Sequence, residues 1–260
     1  MTETSSCLIA RDGPLLWITI NRPASLNALD PQTHRALAAA FDDYAADPAL
    51  RAAILTATGE RAFCVGSDLK AHSATNAGDH PSTGFAGLTH RFDLLKPVIA
   101  AVNGLALGGG VEIIAACDLA IAADHAQFAL PEPRVGLAAL GGGGLQRLAR
   151  QLPLKTAMEL VLTGRRIDAA EAKRIGLIND VVPKADLLAR ARQLAQTLLD
   201  GAPLALEASK QVMLQSLAMP DLQAALRARY PAAERMLASE DAKEGQRAFV
   251  EKRKPHWQGR

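Results

Sequence analysis

The chain of 260 residues has only three cysteines and no CxxC pair. Cys7, Cys64 and Cys117 are widely spaced and odd in number, and no histidine lies beside them at the spacing of metal ligands. Such a set predicts neither a disulfide framework nor a metal site. We expect three buried thiols in a reducing compartment, because free cysteine is among the most buried residue types.

The sequence also lacks an excess of charge of either sign and a long apolar run. The formal net charge is +2 and the basic residues are spread along the chain, so nucleic acid is not expected as a partner. No apolar stretch reaches the roughly 18 residues of a membrane span, because polar residues interrupt the most hydrophobic region at Asn103, Glu112, Asp118 and Asp124. The N-terminal MTETSS has no signal-peptide pattern. We therefore predict a cytoplasmic protein with no membrane partner.

The beginning of the chain predicts a β-hairpin followed by a helix. The apolar runs CLIAR and LLWITI flank the turn residues 12–14, which have the sequence DGP. Asp30 followed by Pro31 is typical of a helix start, with the aspartate as cap. Leu37, Phe41 and Tyr44 would then share one apolar face of that helix.

Strands alternate with helices over most of the remaining chain, and helices alone follow. Further strands are predicted at RAAILTAT, KPVIAAVNG, LAIAAD and LINDVV. This order is typical of an α/β fold, with a core over residues 1–200 and a C-terminal helical region over residues 201–260. Residues 73–87 have no usable periodicity, and we expect them to form a surface loop that carries specificity elements.

Three glycines, Gly108 to Gly110, lead from a strand that ends at Asn103 into an amphipathic helix. Glycine allows close approach to the backbone, and the first amides of a helix have no partner within it. Such a turn suits a phosphate or an oxyanion. The segment lacks the lysine of a phosphate loop and the GxGxxG spacing. An oxyanion is therefore the better fit, although close packing of strand and helix would also explain the glycines.

A second loop, AFCVGSDLKA, offers another amide at Ser67, directly after Gly66. Two donors are needed to hold one oxyanion well. Ser67 itself does not lie in the GxSxG turn of a hydrolase nucleophile, and the sequence places none of the six histidines as its base. A serine hydrolase is therefore disfavoured.

Two glutamates, Glu112 and Glu132, complete the set of candidate groups. Glu112 falls in the first turn of the glycine-fed helix, where it could simply complement the helix dipole. Glu132 lies between Pro131 and Pro133 in a segment expected to be a rigid extended turn, where it could be an ordinary exposed loop residue. Beside an oxyanion site, two carboxylates would instead suit proton transfer next to a thioester carbonyl. Spacing alone does not show that they converge.

The chain resembles the enoyl-CoA hydratase/isomerase (crotonase) family over essentially its whole length. The resemblance implies a spiral of ββα repeats and a C-terminal helical region that builds trimers or dimers of trimers. The matching segments are ITINRPASLNALD, AFCVGSDLKA, KPVIAAVNGLALGGGVEIIAACDLAIAADHAQFALPEPRVGL, GGLQRL, VLTGRRIDAAEAKRIGLINDVV and EDAKEGQRAFVEKRK.

The resemblance also implies roles for individual residues. Ser67 and Gly109 match the two oxyanion-hole amides, and Glu112 and Glu132 match the glutamates that orient water and move a proton to the α-carbon. The residues that match the substrate- and CoA-binding surface, with the last two contributed by this subunit or a neighbouring one, are Ser25, Leu26, Ala28, Val65, Gly66, Ser67, Asp68, Leu69, Lys70, Gly108, Gly109, Phe249 and Lys252.

Because both glutamates are present, the resemblance favours a hydratase that adds water to a trans-2-enoyl-CoA. Coenzyme A would be part of the substrate, with no separate cofactor. The alternatives are an isomerase that uses Glu132 alone, a carnitinyl-CoA dehydratase branch suggested by LPEPRVGL and the C-terminal segment, and a non-catalytic CoA- or RNA-binding protein. Serine at position 67, where many members have alanine, should preserve a backbone donor. The glycine run 141–144 suggests a roomier or more mobile wall near Glu132.

Overall fold

The computed structural model describes residues 5–68 and 80–260, and within them ten strands and ten α-helices. The strands are β1 (Cys7–Asp12), β2 (Leu15–Ile20), β3 (Ala52–Ala57), β4 (Ala62–Cys64), β5 (Val98–Val102), β6 (Leu105–Leu107), β7 (Leu119–Ala123), β8 (Gln127–Ala129), β9 (Ile167–Asp168) and β10 (Asp180–Val182). The helices are α1 (Pro31–Ala46), α2 (Gly109–Ala116), α3 (Gly144–Gln151), α4 (Leu154–Thr163), α5 (Ala169–Arg174), α6 (Leu187–Leu199), α7 (Pro203–Ser216), α8 (Leu222–Arg227), α9 (Pro231–Leu237) and α10 (Glu240–Val250).

The strands form two sheets. The larger sheet has the order β1-β2-β3-β5-β7-β10, in which β1 is antiparallel to β2 and the other neighbours are parallel. The smaller sheet has the order β4-β6-β8-β9. The successive pairs β3/β4, β5/β6 and β7/β8 each place one strand in each sheet, and helical segments follow. This arrangement confirms the predicted spiral of ββα repeats.

The predicted start of the chain is confirmed in detail. β1 and β2 pair from Cys7 opposite Ile20 to Asp12 opposite Leu15. The carboxylate of Asp30 accepts a hydrogen bond from the amide of Thr33 and caps α1, whose face of Leu37, Phe41 and Tyr44 is fully buried. α1 thereby covers the larger sheet, and its N-terminus lies next to the loop 22–30.

The short strands of the smaller sheet escaped the sequence analysis. β6 lies between Asn103 and the three glycines, so the glycine turn follows a second strand and not directly the strand that ends near Asn103. β4, β6 and β8 have three residues each and β9 has two. Runs of this length are too short to show a period of two.

The expectation of a surface loop over residues 73–87 was wrong for its last part. Residues 84–87 are buried and form a 3-10 turn against α1. Gly87, at φ +65°, lies so close to α1 that a methyl group on it would be 2.3 Å from the Cα of Ala38. The left-handed turn at Ala86 and Gly87 brings the ring of Phe85 inward. Residues 73–79 lie outside the described residues.

Two of the three cysteines are buried as expected, while Cys117 is half-buried. Burial raises the pKa of Cys7 to about 11 and that of Cys64 to about 12, so both are thiols near neutral pH.

Beyond Pro203 the chain is built from helices α7 to α10. Many large apolar side chains of this region are exposed, which is typical of a surface that associates with another molecule; they are Met213, Leu214, Leu217, Leu222, Leu226, Leu237, Phe249 and Val250. Among the described residues, no helix is long and apolar enough to cross a membrane.

Candidate active site

The amides of Ser67 and Gly109 lie on two loops that touch. Leu29 pairs with the first loop: its amide donates to the carbonyl of Gly66 over 2.8 Å, and its carbonyl accepts from the amide of Asp68 over 2.9 Å. The amide of Ser67 is left out of this pairing. A methyl group on Gly66 would lie 3.3 Å from the nitrogen of Gly109. Neither amide has an acceptor among the described residues, which is the arrangement that an oxyanion hole requires.

No side chain would fit on the glycine turn, for a different reason at each position. A methyl group on Gly109 would lie 2.4 Å from Cζ of Phe85, and one on Gly110 would lie 2.1 Å from the carbonyl oxygen of Cys64. Gly108 has φ +51° and ψ −116°, which a residue with a side chain rarely adopts. Close packing therefore accounts for Gly110, and it also fixes the direction of the amides at the start of α2.

Glu112 is enclosed, with only 3 % of its surface exposed. Its Oε1 accepts a hydrogen bond from the amide of Gly144 over 2.8 Å. Methyl groups on Gly142 and Gly144 would lie 2.7 Å and 2.9 Å from carbons of the Glu112 side chain. Gly142 and Gly144 thus pack tightly against Glu112, whereas methyl groups on Gly141 and Gly143 would lie 3.8 Å or more from the nearest neighbouring atoms. The expectation of a roomier wall is therefore wrong for Gly142 and Gly144, because these two glycines are needed for close approach to Glu112.

Glu132 approaches the same turn from the other side. A methyl group on Gly108 would lie 2.5 Å from Oε1 of Glu132. The expected extended turn is instead a 3-10 turn over Glu132–Val135, since Pro131 has ψ 3°. Oε2 of Glu132 is buried and has no hydrogen-bond partner among the described residues. Burial, and after it the nearby charge of Glu112, raises the pKa of Glu132 above its usual range.

The two glutamates and the two amides therefore converge around residues 108–112. Oε1 of Glu132 lies over Gly108, the amide of Gly109 follows, and Glu112 lies one helical turn further on. A thioester whose oxygen occupied the amide pair would present its α- and β-carbons to the two carboxylates. This site can polarise a carbonyl and move protons at adjacent carbons.

The residues predicted to bind CoA lie in several parts of the molecule. Ser25 is exposed and Leu26 is left-handed (φ 53°), both on the loop that pairs with Ser67, where Ala28 is buried. Val65 and Asp68 flank the amide donors. Leu69 and Lys70 lie outside the described residues. Phe249 is 86 % exposed and Lys252 is exposed.

Arg22, which no sequence motif marked as a site residue, ties the loop 22–30 to the loop that carries Ser67. Its Nη2 lies 2.9 Å from a carboxylate oxygen of Asp30 and 3.0 Å from one of Asp68, and its Nη1 donates to the carbonyl of Ala28. Asn27 stabilises the loop 22–30 itself, since its Oδ1 accepts a hydrogen bond from the amide of Arg22 over 2.9 Å. Arg22 lies within a matching segment, but nothing in its spacing showed which carboxylates it would meet.

Two aromatic rings were also missed. Phe85 packs against Gly109, and a methyl group on Gly141 would lie 3.9 Å from both Nε2 of His80 and Oε2 of Glu112. Both follow the segment 69–79 and lie in a stretch without periodicity, so no pattern placed them at the site. Among residues 5–68 and 80–260, no group of three or more His, Cys, Asp or Glu side chains is arranged to hold a metal ion.

Comparison with known proteins agrees with this geometry. The profile of the family described as enoyl-CoA hydratase/isomerase matches residues 11–260. Carnitinyl-CoA dehydratases of Salmonella enteritidis PT4 and Salmonella typhi are each 45% identical to this chain, over 99% of it and 100% of the relative.

Solved structures give the same result for the fold. The enoyl-CoA hydratase from Mycobacterium tuberculosis H37Rv superposes with a TM-score of 0.92 at 38% identity, covering 99% of this chain and 100% of that one. The enoyl-CoA hydratase from Bacillus anthracis gives a TM-score of 0.90 at 34% identity, covering 98% of this chain and 100% of that one.

The Arg22 link predicts a difference between two ion pairs in the same chain. Arg22→Met removes a cation that Asp30 and Asp68 share, and both carboxylates are largely covered, so we expect the free energy of unfolding to fall by about 1–3 kcal/mol. The matched control is Arg11→Met. The Arg11 side chain pairs with Asp47 but is 57 % exposed, so this substitution should lower the free energy of unfolding by less than about 1 kcal/mol. Urea unfolding measures both, and equal losses would contradict the proposed link.

The raised pKa of Glu132 predicts how stability depends on pH. A carboxyl whose pKa is higher in the folded state favours folding below its unfolded pKa, and this contribution is lost as the pH rises through the folded pKa. Glu132→Gln should therefore gain stability relative to the wild type as the pH rises from 4 to 7. Glu112→Gln should make the stability less dependent on pH, because it removes the Glu112 charge that contributes to the raised pKa of Glu132. Thermal unfolding at both pH values measures the effect, and a Glu132→Gln difference independent of pH would refute it.

Proposed function

The chain belongs to the enoyl-CoA hydratase/isomerase family, and we propose that within it the protein is a hydro-lyase acting on acyl-CoA thioesters. The reaction is the reversible syn addition of water to a trans-2-enoyl-CoA, which gives a 3-hydroxyacyl-CoA. The observation that carries this proposal is the convergence of two carboxylates, Glu112 and Glu132, on a turn that also presents two unpartnered amides.

The amides of Ser67 and Gly109 hold the thioester oxygen. Their hydrogen bonds stabilise the negative charge that develops on this oxygen when water attacks the conjugated double bond, and the β-carbon becomes electrophilic. Loss of one such donor in other enzymes costs about 10²–10³ in turnover. The donor at position 67 is a backbone amide, so serine serves as well as alanine there.

The two carboxylates differ in their surroundings, and this difference divides their roles. Oε1 of Glu112 is held by the amide of Gly144, so Oε2 remains to accept a hydrogen bond from the attacking water and to orient it. Glu132, whose pKa is raised by burial, is suited to carry the proton that the α-carbon receives. The water oxygen bonds to the β-carbon, one hydrogen reaches the α-carbon, and the other remains on the new hydroxyl.

The narrower substrate assignment follows the relatives. We propose that the chain also runs the reverse reaction, the dehydration of a 3-hydroxyacyl-CoA, and carnitinyl-CoA is a candidate because the relatives of that name are 45% identical over their whole length. The same active site serves both directions, since a catalyst lowers the barrier equally each way. Coenzyme A then enters as part of the substrate, with no separate cofactor.

We also propose a trimer or a dimer of trimers, built through the C-terminal helical region. The exposed apolar side chains of α7 to α10 support this assembly. In it, Phe249 and Lys252 of one subunit could reach the CoA cleft of a neighbour. The core over residues 1–200 would then carry the catalytic groups, and the helical region over residues 201–260 would build the assembly.

The paired glutamates give the test of function. Glu112→Gln and Glu132→Gln should each lower kcat for crotonyl-CoA hydration by at least about 10²-fold, because each removes a group that handles a proton. Coenzyme A affinity, measured by calorimetry, should change little, since neither side chain is assigned to the CoA moiety. A wild-type rate in either variant would refute the two-carboxylate assignment.

The isomerase alternative is separated by the same variants. A double-bond shift needs only Glu132, so Glu112→Gln would retain conversion of a 3-enoyl-CoA to the 2-enoyl-CoA while hydration is lost. Binding of several enoyl-CoAs without any turnover by the wild type would instead indicate a non-catalytic CoA-binding protein.

A further inference from the structure

Helix α3 begins at the residue that anchors Glu112. The amide of Gly144, the first residue of α3, donates to Oε1 of Glu112 over 2.8 Å. In the first turn of the same helix, the amide of Arg147 donates to the carbonyl of Gly143 over 2.9 Å. The place of the hydrogen bond to Glu112 therefore depends on how the N-terminal end of α3 is held against the rest of the core.

The side chain of Arg147 holds this end of α3. Its Nη2 donates to the carbonyl of Thr89, a buried residue, and its guanidinium carbon lies 5.8 Å from the centroid of the Phe92 ring. Arg147 is half-buried, and burial lowers the pKa of its guanidinium. A cation withdrawn from water is costly unless it is hydrogen-bonded. The bond to Thr89 offsets this cost and joins two segments that lie 58 residues apart in the sequence.

Thr89 ends the turn that carries Phe85. The amides of Leu88 and Thr89 donate to the carbonyl of Phe85 over 3.1 Å and 3.2 Å. The ring of Phe85 is buried and lies against Gly109, since a methyl group on that glycine would be 2.4 Å from Cζ of the ring. A shift of the Thr89 carbonyl would therefore also shift the ring that supports one of the two amide donors.

These contacts form a closed ring, which we call the Arg147 ring. It starts at Gly109, which touches Phe85, and follows the turn to the carbonyl of Thr89. It crosses to α3 at the guanidinium of Arg147 and reaches Glu112 through the first amide of that helix. Its last part is α2 itself, on which Gly109 and Glu112 are three residues apart. Arg147 thus links the support of an oxyanion donor with the anchor of a glutamate.

We propose that Arg147 is a positioning residue for hydration, which holds Glu112 and the Gly109 amide in their mutual arrangement through the Arg147 ring. This inference rests on the proposed hydratase function. Hydration needs a polarised carbonyl and an oriented water at the same time, and a misplacement of about 1 Å can cost about 10²-fold in rate. Loss of the link should therefore lower kcat and leave KM nearly unchanged, because Arg147 is not assigned to substrate binding.

The test measures kcat and KM for hydration of crotonyl-CoA, at a temperature at which circular dichroism shows every variant to be folded. Arg147→Met keeps the apolar stem and removes the guanidinium. It should lower kcat by about tenfold or more and change KM by less than about threefold. Arg147→Lys keeps a cationic donor on an unbranched stem, and should recover at least about threefold of this loss.

The matched control is Arg150→Met on the same helix. Arg150 is exposed, and its Nη1 donates to the carbonyl of Gln146 within α3, so it joins no other segment through this bond. This substitution should leave both kcat and KM unchanged. If Arg147→Met does not fold, Arg147→Gln takes its place, since the shorter amide also removes the guanidinium.

A double-mutant cycle tests whether Arg147 acts through Phe85. Phe85→Leu removes the ring that lies against Gly109 and should itself lower kcat. Because either change opens the same ring of contacts, the double variant should lose less than the product of the two single losses, by about threefold or more. Two independent structural defects would instead give the full product.

The outcomes separate this inference from the proposed function. Equal kcat values for Arg147→Met and Arg150→Met, a change in KM alone, no recovery by Arg147→Lys, or a double variant that loses the full product would each overturn the role of Arg147 and leave the hydratase function standing. A wild type that hydrates no enoyl thioester would refute the proposed function, and the role of Arg147 with it.

Discussion

The close packing of the glycine turn 108–110 is the constraint on which the rest of the site depends. Because Gly110 lies against the carbonyl of Cys64 and Gly109 against the ring of Phe85, the start of α2 is fixed relative to the neighbouring loop. The amide of Gly109 then faces the loop that carries Ser67, and the missing side chain at Gly108 leaves room for the carboxylate of Glu132. One additional methyl group at any of the three positions would displace a group that the site requires.

Glu112 and Glu132 are chemically identical side chains, but their surroundings differ. Glu112 is buried against Gly142 and Gly144, and its Oε1 accepts a hydrogen bond from the amide of Gly144. Glu132 has a buried oxygen without a partner among the described residues, and its pKa is raised by burial and by Glu112. Two carboxylates whose environments differ in this way are suited to act as acceptor and donor in one reaction.

The sequence predicted the larger sheet, the cap of α1 and the identity of the candidate groups, because long periodic runs and cap residues are local signals. It did not predict the smaller sheet, whose strands have two or three residues, or the inward turn at Phe85, which depends on packing against α1. Local sequence patterns also could not show that Glu112 and Glu132 lie close together, because the pairing of β6 with β8 brings their segments side by side. The contacts of Arg22 and His80 arise from the same long-range packing.

The central claim is that one thioester is held by both amides while its reacting carbons face both glutamates. The most direct measurement is a crystal structure with a bound, slowly reacting enoyl thioester. We expect the thioester oxygen to lie about 3 Å from the nitrogens of Ser67 and Gly109, with the α- and β-carbons between Glu112 and Glu132. A thioester oxygen bound away from these two nitrogens, or reacting carbons that face neither glutamate, would contradict it.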